Sequence, residues 1–134
     1  QHKTSKNEIN QLLAVFTREM ADAQSNAISI DRRFATAYNA ALTVSVAALA
    51  ASGYRAAGEG HHYWVIQSLA FTLQLDDETI EEFNRFRRKR NTIDYERIEA
   101  VSEREVSEML ELAKNIRSKL EIWLRGNYPN LLGK

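Results

Sequence analysis

Five of the six residues from Arg85 to Arg90 (RFRRKR) are basic, and Asn91 follows at once. Guanidinium groups grouped this closely can hold a phosphate or a carboxylate through paired, charge-assisted hydrogen bonds. The chain as a whole has no such bias, because its 18 Lys and Arg are matched by 18 Asp and Glu. Attraction to an anion must therefore come from this local cluster and be sensitive to salt.

The same cluster has a plain structural reading. Asp76, Asp77, Glu78, Glu81 and Glu82 precede it, and acids in the first turns with bases in the last complement a helix dipole. Glu81 and Arg85 stand at i,i+4, the spacing of a surface ion pair. Projection at about 100° per residue separates the basic residues. Ile80, Phe83, Phe86 and Ile93 spread over roughly 140° of one face, Arg90 falls near the middle of that arc, and Arg87 and Asp94 lie at its edge. Arg85, Arg88 and Lys89 fall on the outward side. An arginine on an apolar face needs a carboxylate, a helix end or a ligand anion. Two fates are open to Arg90: an ion pair with Asp94, or an anion site that Asp94 and Asn91 help to orient.

The elements that position these residues are helical. Ile9, Leu12, Leu13, Phe16 and Met20 recur at helical spacing and predict a first helix from about Asn7 to Ala23. Ser29 or Asp31 caps a second helix, rich in alanine, that runs to Gly53. Gly58 to His61 is a turn. Tyr63, Trp64, Ile66, Leu69, Ala70 and Leu73 make a third helix that is apolar almost all round, which places it at the centre with Tyr63 and Trp64 in the core. Asp76 or Asp77 caps the fourth. Ser102 and Glu105 have capping-box spacing and open a long fifth helix that Gly126, with Pro129 beyond, brings to an end. No stretch alternates with period two, and the connectors are short, so the expected fold is all-α: a single domain over residues 1–134, an up-and-down antiparallel bundle of four to five helices.

With 134 residues, 44% hydrophobic, one Pro and five Gly, the chain suits one globular domain with a sizeable core. It has no cysteine, which removes disulfide and thiolate chemistry. The apolar run from Ala40 to Ala51 is too short to span a membrane and reads as a buried helix segment. No charged leader with an apolar core is seen at the start, so a cytoplasmic location with no membrane partner is expected. Phosphate-loop, dinucleotide-fold and zinc-protease motifs are missing from the sequence, and no cofactor and no metal are expected. Adjacent His61 and His62 point about 100° apart on a helix and cannot easily share one ion; a polar helix start is the simpler reading, with metal or anion binding as alternatives. Tyr63 and Trp64, with Tyr54 and Arg55 nearby, are alternatively a stacking surface for bases.

The segment FNRFRRKRNTIDYE, Phe83 to Glu96, together with GYRAAGEGHHYW, Gly53 to Trp64, resembles the HEPN superfamily of small prokaryotic helical domains. In its ribonuclease members an arginine that binds the scissile phosphate is followed by a polar residue and, several positions on, by a histidine acting as base or acid toward the ribose 2′-hydroxyl. Arg90 and Asn91 match the first two positions. The histidine does not match: Asp94, Tyr95, Glu96 and Arg97 follow, and there is no His after His62. Tyrosine, with a pKa near 10, is a poor base at neutral pH. The resemblance thus implies the phosphate-binding half of a site, with Arg90, Asn91, Asp94 and Tyr95 as candidate catalytic residues and Arg85, Arg87, Arg88 and Lys89 as flanking anion- or RNA-binding charge. It also implies a bacterial homodimer and a role beside a nucleotidyltransferase-type partner as a toxin–antitoxin couple. Three readings follow. A non-catalytic domain working through such a protein partner leads, because loss of the histidine removes chemistry without removing the fold; an RNA-binding or metal-independent RNA-cleaving domain comes second, and a purely structural bundle third.

Overall fold

The computed structural model of the chain describes residues 3–56, 60–95 and 101–132, with the backbone alone for 92–95. Five helices follow one another, α1 (Lys6–Ala23), α2 (Ile30–Ala51), α3 (His61–Thr72), α4 (Asp77–Tyr95) and α5 (Glu103–Asn127), with one 3-10 turn at Pro129–Leu131. Among the described residues there is no strand, and the fold is the expected all-α bundle.

Local chemistry sets the ends. The Ser5, Ser29 and Ser102 hydroxyls accept from the backbone N–H three residues on, satisfying donors that no helical carbonyl can reach. At Ser102 the Glu105 carboxylate reciprocates, closing a capping box. Asp76 accepts from the Thr79 N–H at 2.9 Å and starts α4. Gly60 enters α3 at φ +73°, a left-handed conformation that a residue with a Cβ adopts only under strain. Gly126 does not end α5, which continues to Asn127 before Tyr128 closes it.

The centre of the bundle is α2, which packs against each of the other four long helices. Its alanines make this possible: Ala37, Ala40, Ala41, Ala47 and Ala48 have no exposed surface, and a methyl side chain lets a neighbouring backbone approach closely. Against α2 lie Ile9, Phe16 and Met20 of α1 and Met109, Ile116, Leu120 and Leu124 of α5. By length and composition α2 is apolar enough to cross a membrane, yet most of it is buried inside the bundle, the position of a core helix. Arg33 ties the layers together, donating from Nε to the Ala23 carbonyl at 2.9 Å and pairing with Glu103 at 3.2 Å.

The expectation of a central third helix is corrected. Among the described residues α3 packs mainly against α2 and α4, and Trp64 and Phe71 are 61% and 85% exposed. Tyr63 is also at the surface rather than in the core. An apolar residue on every side signals burial only when neighbours exist to cover each side, and α3 has them on one.

Candidate anion-binding site

Aromatic packing fixes α4 on α2. Phe83 meets Tyr38 edge to face with ring centroids 5.7 Å apart, and Phe86 meets Phe34 at 5.6 Å. Arg87 and Arg90 follow these two phenylalanines by one turn each, so they are carried to the rim where α2, α3 and α4 come together.

Three side chains steer Arg87. Its Nε donates to Asn84 Oδ1 at 3.1 Å, and the buried Asn84 in turn donates through Nδ2 to Gln67 Oε1 of α3 at 2.7 Å. The guanidinium also lies over the Tyr63 ring, 5.5 Å from its centroid. Arg90 lies over Tyr38, with Cζ 5.9 Å from the ring centroid. Tyr38 Oη and His62 Nδ1 share a hydrogen bond of 3.3 Å. Two guanidinium groups and an imidazole thus stand at one rim, with the fully buried Tyr38 phenol beneath them.

Electrostatics couples them. Burial pushes the Tyr38 phenol up to about 12, with Arg87 and Arg90 pulling the other way. His62 is lowered from its ordinary value of 6.5, first by burial and then by His61, Arg90 and Arg87. Near pH 7 the site therefore contains two fixed positive charges around two neutral, polarisable groups.

The other basic residues have different employment. Lys89 does not point outward as expected: its side chain is only 16% exposed and pairs with Glu105 of α5 at 3.6 Å. Arg88 is exposed and pairs with Glu81 at 3.4 Å, taking the carboxylate that the i,i+4 spacing offered to Arg85. Arg85 is exposed and lies over the Phe86 ring at 4.8 Å. Asn91 is exposed rather than on the inner face. The side chains of Asp94 and Tyr95, expected as partner and candidate catalytic groups, lie outside the described residues. An open cleft of about 360 Å³ beside α4 is lined by Glu82, Glu108 and Glu111, the wrong sign for an anion.

Tyr38 was not singled out in the sequence; His62 was read first as a helix start, with metal or anion binding as alternatives, and Tyr63 first as core, with base stacking as an alternative. An arginine on an apolar arc needs polar company, but that need does not by itself single out Tyr38 or His62. Compared with protein-family models, with curated proteins and with solved structures, the chain matches none.

Proposed function

We propose that the chain is a HEPN-like helical domain that binds single-stranded RNA at this rim, holding a backbone phosphate between Arg87 and Arg90. The observation that carries the reading is that Arg90 lies over Tyr38, the hydrogen-bond partner of His62, while Arg87 lies over the adjacent Tyr63 and both charges act on Tyr38 and His62. Guanidinium forks match phosphate oxygens in pairs, and the neighbouring Tyr63 and Trp64 rings offer unpaired bases a surface to stack on. His62 adds a tunable contact: an arriving anion favours the imidazolium, so affinity rises as pH falls.

A protein partner of acidic surface, such as a nucleotidyltransferase-type antitoxin, is the second reading, favoured by the balance of 18 basic and 18 acidic residues; dedicated nucleic-acid binders are commonly basic overall.

Fluorescence anisotropy with labelled single-stranded RNA over a salt series tests the first reading. Arg87→Ala and Arg90→Ala should each weaken binding and lower the salt slope by about one. Arg88→Ala, at an exposed ion pair, should change little. Equal losses for inner and outer arginines would remove the rim from consideration. Tight binding to a protein partner that survives salt sufficient to release RNA would favour the second reading.

A further inference from the structure

Beside the rim, α1, α2, α3 and the segment that follows α2 enclose a second cavity, of about 210 Å³. Its floor is apolar, made by Val46, Leu49 and Ala50 of α2 and by Val65 of α3. Tyr54, a 55% exposed ring, and Arg55 form part of the wall, and Glu8 of α1 and His61 of α3 also line it. The volume lies below the roughly 300–1,000 Å³ of pockets that take whole drug-sized ligands, so there is room for one flat ring system and not for a whole nucleotide.

The polar groups of the wall differ in sign. Thr4 donates to Glu8 Oε1 at 2.6 Å and orients the carboxylate, and Arg55 pairs with Oε2 across 3.8 Å. A simple anion meets Glu8 and a simple cation meets Arg55, so a ligand has to offer donors to the first and an acceptor to the second. An apolar floor with an aromatic ring beside it suits a planar base, whose edge is then read by hydrogen bonds. Among the bases this wall is selective. Guanine alone carries two neighbouring donors, N1–H and the 2-amino group, with the O6 acceptor next to them. Uracil faces a carboxylate with one donor between two carbonyls, and adenine and cytosine place a ring-nitrogen acceptor beside their amino group.

We propose that this cavity is a guanine subsite, in which Glu8 accepts from N1–H and the 2-amino group, Arg55 donates to O6 and the ring rests on the apolar floor against Tyr54. It adjoins the rim, since His61 lines the cavity and its ring lies 4.6 Å from that of His62. The same edge is offered by a free guanine nucleoside and by a base turned out of a single strand. Only the second source rests on the RNA reading of the rim.

Equilibrium dialysis of the full chain against guanosine, inosine, adenosine and uridine tests the cavity without any strand. Guanosine should be retained, and inosine, which lacks the 2-amino donor, should bind roughly tenfold more weakly. Glu8→Gln, which replaces one acceptor by a donor, should weaken guanosine to a similar degree; the inosine comparison needs no variant, so a damaged fold cannot account for it. Fluorescence anisotropy then separates the sources, using an all-uridine nonamer and the same strand with one central guanosine or inosine. Tighter binding of the guanosine strand, lost with inosine and in Glu8→Gln, makes RNA the source. Guanosine retained while the strands bind alike, or not at all, makes the free nucleoside the source, and the second of these outcomes removes the RNA reading. Equal retention of guanosine and inosine, or no retention of guanosine, overturns the subsite whatever the strands do at the rim.

Discussion

At Tyr38 the protein holds a buried phenol at about 12, so the group stays a neutral hydrogen-bonding partner of His62 and cannot serve as a base. RNA bound beside it is therefore expected to stay intact in a gel assay; cleavage lost in both Arg90→Ala and His62→Gln would instead make His62 a catalytic residue. His62 also sets a pH dependence. Its folded value lies below the unfolded 6.5, so its contribution to stability is complete above that pH and is lost as pH falls through the folded value. Urea midpoints measured from about pH 8 to about pH 5 should fall, and His62→Gln should flatten part of that slope. Arg90→Ala should lower the melting temperature more than Arg88→Ala, since cation–π contact over a buried ring is worth about 1–2 kcal/mol and an exposed ion pair very little. Arg87 and Arg90 were legible in the sequence because helical projection alone sets them apart from Arg85 and Arg88. Tyr38 and His62 were not, because they lie 24 residues apart and meet only through the packing of α2 on α3, which no local pattern encodes.

Among the elements, the N-terminal caps were the most readable, and the C-terminal breaks less so, since α5 runs past Gly126. The Ser29 cap, the Asp76 cap and the Ser102–Glu105 box were each visible as residue types at fixed offsets, because their hydrogen bonds are local. Ser102→Ala should cost about 1 kcal/mol, seen as a shifted urea midpoint with an unchanged slope. What periodicity could not tell was which apolar helix stands at the centre. α3 is more uniformly apolar, yet α2 holds the middle, because small side chains decide how many neighbours can come close. Ala41→Leu tests that account: overpacking there should destabilise the fold by about 1–3 kcal/mol or more, whereas an equal enlargement on the exposed side of α3 should be tolerated.

For the whole molecule, balanced charge means that long-range attraction contributes little, so on the proposed reading any selection is expected to rest on contact at the rim. The arrangement around α2 also has a kinetic consequence. Every other long helix leans on α2, so α2 can lose its protection only when the entire bundle opens, and its amides between Phe34 and Ala48 should exchange with deuterium slowest of all. α3 rests on two neighbours and bares one side, so it can detach in a smaller, cheaper fluctuation and its amides should exchange early. His62 and Tyr63 travel with α3, while Tyr38, Arg87 and Arg90 stay behind with α2 and α4. Detachment of α3 would take the rim apart, so a ligand that clasps both halves at once should slow amide exchange in α3.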